Sequence, residues 1–337
     1  MKLQMQTALK SKPEIIPTTS RLTGRDKWDH FLARCRYRRM SHIVSPGLYS
    51  LGSPGPESQI FVSANYTLSF DALRSSLEGI DCYILVLNTY GINVWCAAGK
   101  GTFGTEEVIE RIELTELKNL VKNKVLILPQ LGAPGVCSQE VERRTGFKVE
   151  FGPVRARDIK HYLTNGKATP EMRKVNFDIK DRAILIPVEL IGLAPYILVL
   201  SILFYFISGF WSALAIAAIG ISGAVFFPLL LPFLPTKDFT SKGLVLGVVT
   251  SIPFAYQSIA WSDEILTYNA ISAIAWILLI SPWVAYIALN FTGSTTFTSR
   301  TGVRREIFRY IPILAVIFIS GLILSVLLGI GSYLGWF

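Results

Sequence analysis

The sequence predicts an α/β domain with a Rossmann-like, doubly wound parallel sheet, followed by an all-α membrane region of five helices. Short apolar runs alternate with helical patterns in the first half of the chain, and such alternation is typical of parallel sheets. In the second half, four long segments lack Asp, Glu, Lys and Arg altogether: 190–236, 243–262, 265–299 and 310–337. The expected divisions are a basic N-terminal tail at 1–45, the α/β domain at 46–170, a linker at 171–189 and the membrane region at 190–337.

The elements of the α/β domain are predicted from apolar runs and from the residues that begin and end them. Residues 83–87 form a continuous apolar run, which is typical of a strand covered on both faces. Thr105 can cap a helix that carries Glu106 and Glu107 in its first turn, where acidic side chains interact favourably with the helix dipole. The predicted series is strand 60–62, helix 71–78, strand 83–87, a helix from Thr105, strand 125–128, helix 138–145, strand 147–151 and helix 156–164.

Three of the predicted loops follow strands at the same edge of this sheet. They carry Asn65, Cys96 and Pro134. Ligands of open α/β sheets bind outside the carboxyl ends of the strands. We therefore expect these three loops to meet at a ligand site.

Five membrane helices are predicted, because a bilayer-spanning helix needs about 20 apolar residues. The first charge-free segment is long enough for two spans, and each of the other three holds one. A very hydrophobic water-soluble core is the alternative, and four such segments disfavour it. The spans are expected near 190–209, 212–234, 243–261, 269–290 and 311–334.

The loop charges predict how the chain is oriented in the membrane. Lys and Arg flank the first span and fill the loops after the second and fourth spans, whereas the loop after the third carries only Asp263 and Glu264. Because basic loops stay in the cytoplasm, we expect a multi-pass protein of the cytoplasmic (inner) membrane, with a cytoplasmic α/β domain and an external C-terminus. Membrane-flanking residues account for much of the net charge of +9, so no nucleic acid is implied. The polar first 30 residues predict no cleavable signal peptide.

The cysteines and histidines do not form a recognisable metal cage. Cys35, Cys82, Cys96 and Cys137 lie far apart, and the sequence has no Cys-x-x-Cys, so no iron–sulfur cluster is expected in this chain. Disulfides are not expected in a cytoplasmic domain. The three histidines lack the spacing of metal ligands.

Residues 99–104, Gly-Lys-Gly-Thr-Phe-Gly, fit the glycine pattern of dinucleotide-binding loops. A single match of this kind is weak. The pattern should follow a strand directly, yet 92–98 intervene, and the next strand ends in Pro129 and Gln130 rather than an acidic residue. A nucleotide site is therefore disfavoured. The glycines more simply let the backbone approach a ligand closely.

The segment 93–100, Asn-Val-Trp-Cys-Ala-Ala-Gly-Lys, places one thiol among mostly apolar neighbours. Free cysteines are ordinarily core residues. As a helix, however, this segment would carry Asn93 and Ala97 on one face and offer Cys96 from the adjacent turn. A single thiolate can bind a metal ion axially but cannot enclose it, so the metal would arrive already held, for example by a macrocycle.

This segment resembles the cap-helix signature of the membrane-bound corrinoid proteins of microbial mercury methylation, the HgcA family. Residues 63–71, 128–136, 152–156 and 290–300 are similar to other blocks of that family, and five spans after the α/β domain also fit it. The resemblance covers nearly the whole chain. The α/β domain alone resembles, more distantly, the corrinoid domain of the corrinoid iron–sulfur protein of acetyl-CoA synthesis. The Asp-x-His-x-x-Gly signature of histidine-ligated cobalamin proteins is absent.

The resemblance implies a cobalamin-type corrinoid, with Cys96 as the catalytic residue and, as a thiolate, the lower axial ligand of cobalt. It implies that the cap helix meets the corrin and that two neighbouring loops line the corrin and its nucleotide tail. Lys100 is expected to have a structural role. The implied cofactor-binding residues are Asn93, Val94, Trp95, Cys96, Ala97, Ala64, Asn65, Tyr66, Gln130, Leu131, Gly132, Ala133, Pro134 and Gly135.

The resemblance also implies a methyltransferase that works without oxygen. The cobalt would accept a methyl group from a methylated folate and pass it to Hg(II), giving methylmercury. A thiolate opposite the methyl group should favour its departure with the electron pair, and transfer as a radical stays open. Cobalt must be reduced again at low potential, so a ferredoxin-like iron–sulfur protein is the expected electron donor.

Two other functions stay open at this point. A corrinoid methyl carrier for another acceptor, such as a metalloid or an enzyme of the acetyl-CoA pathway, would use every residue named above. A non-enzymatic membrane transporter or sensor with an α/β ligand domain would be expected to carry charged residues inside its spans. The predicted spans contain none, which disfavours this second alternative.

Overall fold

A computed structural model describes residues 14–38, 40–260, 265–295 and 300–335. The chain divides into two compact units, one of residues up to Ala33 and Tyr37–Val175 and the other of Arg34–Arg36 and the residues from Asn176 onward. The first is an α/β domain, and the described residues of the second lie mainly in helices. Several predictions fall outside the described residues: the start of the N-terminal tail (1–13), the acidic loop (261–264) and the end of the last resemblance block (296–299).

A six-stranded sheet in the order β1-β2-β4-β3-β5-β6 forms the centre of the α/β domain. Strands β3 to β6 run parallel to one another, which agrees with the predicted α/β fold class. At one edge, however, β2 pairs antiparallel with β4 and parallel with β1, so the whole sheet is mixed rather than parallel. The strands are β1 Ile15–Thr18, β2 Gly47–Leu51, β3 Gln59–Ala64, β4 Cys82–Leu87, β5 Val125–Leu128 and β6 Lys148–Phe151.

The sequence analysis did not predict β1 and β2. Neither is a continuous apolar run, and β1 contains Pro17, which a strand tolerates only at the edge of a sheet. The first strand also lies in the segment expected to be a basic tail. In its described part that segment instead contributes an edge strand and a helix, Gly24–Arg34, to the domain.

Helices cover both faces of the sheet. Neighbouring strand residues point to opposite faces, so Val62 and Leu85 belong to one apolar cluster while Phe61 and Ile84 belong to the other. This explains why β4 is a continuous apolar run. The helices are α1 Gly24–Arg34, α2 Thr67–Ser76, α3 Val94–Lys100, α4 Thr105–Leu114, α5 Leu117–Leu120, α6 Ser138–Thr145 and α7 Ile159–Asn165.

Buried ion pairs join α1 to α2. Asp71 is 2% exposed and contacts Arg74 Nε at 2.6 Å and His30 Nε2 at 2.7 Å. Arg74 also donates to Asp26 at 2.9 Å. Burial acts to raise the pKa of Asp26, but hydrogen bonds from Thr23 and Arg74 outweigh it and hold that pKa below its usual value.

The helical region contains five segments that are long and apolar enough to cross a membrane, as predicted. The first begins at Ile179, inside the predicted linker, and the second contains a π-helical turn at Ser222–Phe226 between α9 and α10. The helices are α8 Ile179–Ser208, α9 Phe210–Ile221, α10 Phe227–Leu230, α11 Phe239–Ala260, α12 Leu266–Phe291 and α13 Arg300–Tyr333.

Small residues allow α11 and α12 to pack closely. A Cβ atom added to Gly243 would lie 2.7 Å from the Cα atom of Ala285, and one added to Gly247 would lie 2.5 Å from that of Ser281. Real Cβ atoms do not come this close to a backbone atom. The backbones of α11 and α12 can therefore approach each other at these two positions because both residues are glycines. Such contacts are a usual means of helix association in membranes.

Glu306 of α13 caps the first turn of α11. Its carboxylate accepts hydrogen bonds from the backbone N–H groups of Phe239 and Thr240, at 3.3 and 3.1 Å, and from the Thr240 hydroxyl at 2.9 Å. The first N–H groups of a helix have no partner within the helix, and a negative charge is favourable there. Glu306 therefore satisfies these groups and connects two distant helices.

Candidate functional site

Cys96 lies in the first turn of α3, the helix that follows β4 at the carboxyl edge of the sheet. The helix begins at Val94 because Asn93 is extended and its side-chain oxygen accepts from the Cys96 N–H at 2.9 Å. It ends at Gly101, whose φ of +84° is the left-handed conformation that glycine adopts readily. The segment singled out from the sequence is therefore a short helix with a cap at each end.

Cys96 is half-buried and, unlike Ala97 and Ala98, is not part of the apolar core. Ala97 and Ala98 face the core, with 0% and 6% of their surface exposed, while Trp95 is half-buried and Lys100 is exposed. Asn93 and Ala97 were expected on one face. The structure separates them, because Asn93 caps the helix from outside while Ala97 packs inward. Cys96 is therefore partly exposed rather than part of the buried core.

The loop after β5 packs directly on α3. A Cβ atom on Gly135 would lie 3.0 Å from the Cα atom of Ala98, and one on Gly132 would lie 2.5 Å from the Phe103 ring. The carbonyl oxygen of Gly135 also accepts from the Thr105 N–H at 3.2 Å. These glycines thus bring the loop backbone against α3 and the residues that follow it, and so place residues 130–135 beside the Cys96 helix.

The loop after β3 reaches α3 indirectly, through Asn65. This side chain is 2% exposed, and its oxygen accepts from the N–H groups of Thr89 and Gly91, both at 3.0 Å. The Thr89 hydroxyl lies 2.9 Å from the same oxygen. Asn65 therefore binds the segment that connects β4 to α3.

Glu107 of α4 is a site residue that the sequence analysis missed. Its Oε1 atom accepts from the Asn88 N–H at 2.7 Å and from the Arg111 guanidinium at 2.8 Å. The sequence assigned Glu107 only to the first turn of a helix. Its contact with Asn88 joins residues 19 positions apart, and no local pattern reveals such a contact.

The segment after α7 returns to the same edge of the sheet. Arg173 donates to the Gln130 side-chain oxygen at 2.8 Å, and the Val154 N–H donates to the Met172 carbonyl at 2.8 Å. Met172 is buried in the domain. The first residues of the segment predicted as a linker, 171–189, are therefore part of the α/β domain.

The predicted site residues fall into two groups. Those in the first group are buried: Ala64, Asn65, Ala97 and Gly132. Those in the second are exposed or half-buried: Tyr66, Asn93, Val94, Trp95, Cys96, Gln130, Leu131, Ala133, Pro134 and Gly135. The second group is open to a ligand at this edge of the sheet, whereas the first is buried beneath it. That these residues bind a cofactor stays a prediction.

The four cysteines differ in environment. Cys82 is fully buried in β4, and burial, with the nearby charge of Asp81, raises the pKa of its thiol to about 12. It is therefore a neutral thiol at physiological pH and does not serve as a thiolate ligand. Cys137 is exposed, and Cys35 and Cys96 are half-buried. Of these, Cys96 lies on the helix at the carboxyl edge.

Comparison with known proteins places this domain among corrinoid-type relatives. Residues 37–163 match the family model of the CO dehydrogenase/acetyl-CoA synthase delta subunit. The chain is 34% identical over 122 residues to the acetyl-CoA decarbonylase/synthase complex subunit gamma of Methanopyrus kandleri, covering 36% of this chain and 26% of the relative. It is 30% identical over 118 residues to the corrinoid/iron-sulfur protein large subunit of Moorella thermoacetica, covering 34% and 26%.

The chain thus spans about a quarter of the length of these relatives. The family match lies within the α/β domain and includes α3 and the loops at 65 and 130–135. The α/β domain is corrinoid-protein-like, which agrees with the more distant resemblance drawn from the sequence. The resemblance to mercury-methylating proteins rests on the motif at 93–100 and the blocks that accompany it.

Proposed function

We propose that the α/β domain binds a corrinoid through Cys96 and that the chain transfers a methyl group from a methylated folate to Hg(II), giving methylmercury. The observation that carries the proposal is the position of Cys96. Cys96 is half-buried and lies on the capped helix α3, at the edge where open α/β sheets bind ligands. The surrounding domain is similar to proteins named for a corrinoid.

The residues near Cys96 fit this cofactor. A thiolate is a soft ligand suited to a metal that is otherwise held by a macrocycle. Val94, Trp95 and Leu131 are half-buried apolar side chains, which suit the apolar face of a flat ring. We assign cofactor contact to these residues and to the exposed part of loop 130–135.

When bound, the corrinoid would supply a cobalt centre able to take up a methyl group and release it to an acceptor. The chain's own contribution is to hold one sulfur in place. Asn93 fixes the first turn of α3 by accepting from the Cys96 N–H, and Ala97 and Ala98 fix the helix against the core. With a corrinoid bound, Cys96 as a thiolate ligand would donate electron density to the cobalt and so would favour departure of the methyl group.

The electron balance of this reaction requires a reductant. The folate gives up a methyl cation, whereas Hg(II) receives the equivalent of a methyl anion, so each turnover consumes two electrons. The sequence contains no Cys-x-x-Cys motif for an iron–sulfur cluster. We propose a ferredoxin-like iron–sulfur protein as the electron donor.

We further propose that the helical region is embedded in the cytoplasmic membrane, with the α/β domain in the cytoplasm and the C-terminus outside. Five helices have the length and composition of membrane spans. The basic residues beside them, among them Lys237, Lys242, Arg304 and Arg305, support this orientation.

The experiment is methylation of Hg(II) by anaerobic cells that make the chain together with its ferredoxin-like donor. Cys96→Ala should lower methylmercury formation at least about 100-fold, since it removes the ligand rather than weakening it. Cys35→Ala is the matched control, because it removes another half-buried cysteine that lies outside the loops of the candidate site. Full methylation by Cys96→Ala, or a colourless protein after anaerobic purification with added corrinoid, would contradict the proposal.

A second function is favoured by the comparisons, namely methyl transfer to an acceptor of the acetyl-CoA pathway. Two of the similar proteins are subunits or components named for acetyl-CoA or corrinoid/iron-sulfur chemistry. The same cofactor-loaded protein should be offered Hg(II) and, separately, an acetyl-CoA-forming enzyme. Transfer only to the enzyme would favour this second function while keeping Cys96 as the ligand.

A further inference from the structure

We propose that Asn65 is a positioning residue for Cys96. Its buried amide oxygen holds the loop 88–92, and this loop determines where α3 begins and hence where the sulfur lies. The statement that Cys96 then binds cobalt rests on the function proposed above. The hydrogen-bonded connection from Asn65 to α3 does not depend on that function.

The first step is the set of hydrogen bonds to one oxygen atom. Asn65 Oδ1 accepts from the Thr89 and Gly91 N–H groups, both at 3.0 Å, and the Thr89 hydroxyl is 2.9 Å away. That hydroxyl also lies 2.7 Å from the Ile92 carbonyl, and its single proton serves one of the two acceptors at a time. In either arrangement, Asn65 satisfies two buried backbone donors of the loop.

The second step is the conformation of that loop. Tyr90 and Gly91 both have left-handed backbones, with φ of +55° and +70°. This is unfavourable for tyrosine, and the Tyr90 side chain is 65% exposed, so it does not hold the loop by packing. The convergence of the Thr89 and Gly91 N–H groups on Asn65 compensates for the strain.

The third step is the rigidity of Asn65 itself. It directly follows β3, its N–H donates to the Leu87 carbonyl at 3.1 Å, and its carbonyl accepts from the Val44 N–H at 3.0 Å. The residue is therefore fixed to the end of two adjacent strands. Glu107 adds support from α4 by accepting from the Asn88 N–H at 2.7 Å. The loop is thus held on both sides immediately before Asn93.

This arrangement also distinguishes Asn65 from a residue that contacts a cofactor. Its side chain is 2% exposed, and its oxygen is occupied by the loop. Asn65 therefore acts through α3, and its replacement should move the Cys96 sulfur without removing any group that touches a corrin.

The test uses the full chain in lipid nanodiscs without cofactor. Asn65→Leu keeps the size but removes the acceptor, whereas Asn65→Asp keeps an oxygen at that position. Ser63→Ala is the matched control, because Ser63 is also 2% exposed and lies on the strand that precedes Asn65. Among the described residues, its hydroxyl donates to the carbonyl of its neighbour Ala64. In Asn65→Leu, hydrogen exchange at Thr89, Gly91 and α3 should be about 10- to 100-fold faster, as expected for two or three lost hydrogen bonds.

The alkylation rate of the Cys96 thiol provides a second readout in the same samples. It should rise in Asn65→Leu, return towards the wild-type rate in Asn65→Asp and stay unchanged in Ser63→Ala. If Asn65→Leu does not fold, Thr89→Val, which removes one hydroxyl, should give a smaller change of the same kind. Unchanged exchange and alkylation in the folded variants would overturn the proposal.

A third readout, the visible spectrum of the corrinoid-loaded protein, separates this inference from the proposed function. Asn65→Leu should retain corrinoid but lose most of the thiolate-ligated spectrum, and Asn65→Asp should restore part of it. A spectrum in Asn65→Leu identical to wild type would overturn the positioning role. If wild type itself binds no corrinoid, the proposed function fails, while exchange and alkylation still decide whether Asn65 positions α3.

Discussion

The α/β domain and the helical region use large apolar side chains in opposite ways. Phe103 in the α/β domain is fully buried beneath Gly132 of the loop 130–135, whereas Phe206 in α8 is 81% exposed. No residue in the most apolar stretch of α8 is buried. The hydrophobic effect buries the first kind of side chain inside protein, whereas the length and composition of α8 are those of a helix that a lipid bilayer covers. The two regions are therefore folded for different solvents.

Buried polar groups also differ between the two regions in the contacts that they make. In the α/β domain, Asn65 and Glu107 bind the loop 88–92, which precedes the Cys96 helix. In the helical region, Glu306 caps a neighbouring helix, and Gly243 and Gly247 allow close packing. Polar contacts thus support the site in one region and helix association in the other.

The largest expected effect comes from replacing a buried phenylalanine of the α/β domain, compared with the same replacement of an exposed phenylalanine in the helical region. Phe103→Ala should lower the free energy of unfolding of the α/β domain by about 3–5 kcal/mol, because it leaves a cavity in the core. Phe206→Ala should change stability by less than about 0.5 kcal/mol, because its ring contacts lipid. Hydrogen exchange of each region in nanodiscs measures both. Equal losses from the two substitutions would refute the contrast of solvents.

A smaller effect is expected from glycine substitutions within the helical region. Gly247→Ala should destabilise the packing of α11 on α12 by about 1–3 kcal/mol, because the added methyl group would collide with the Ser281 backbone. Gly329→Ala is the control, since nothing lies within 4 Å of its added Cβ atom. Unfolding in mixed micelles of increasing SDS content measures both. An equal response at the two positions would argue against close packing of α11 on α12.

Loss of the Glu306 charge should have a moderate effect. Glu306→Gln keeps the side-chain length and an acceptor oxygen but removes the negative charge at the start of α11, which should cost about 1 kcal/mol. We expect faster hydrogen exchange in the first turn of α11 and no change in the α/β domain. Faster exchange in α3 as well would show that the two regions are coupled, contrary to the contrast drawn above.

The smallest expected effect is the acid sensitivity contributed by Asp26. Because the folded-state pKa of this carboxyl is lowered, its stabilising contribution is fully present above the unfolded value of about 3.8 and is lost as the pH falls through the lower, folded value. Asp26→Asn should therefore flatten the loss of α/β-domain stability below about pH 4. Urea unfolding at pH 3 and pH 6 measures the difference, and an unchanged pH dependence would exclude Asp26 as its source.

Much of the architecture could be predicted because its signals are local. The five spans follow from the length of charge-free segments, and strands β3 to β6 follow from short apolar runs. Strand β1 at the edge and strand β2 beside it could not, because neither is a continuous apolar run and both are stabilised by pairing with residues far away in the chain. The mixed character of the sheet was missed for the same reason.

The candidate site divides along the same line. The sequence by itself determined the helix that carries Cys96, because its caps, Asn93 and Gly101, act within a few residues of the helix ends. Only the tertiary structure decided what holds that helix in place. Asn65 reaches Thr89 and Gly91 across 24 and 26 residues, contacts that exist only once β3 and β4 have paired.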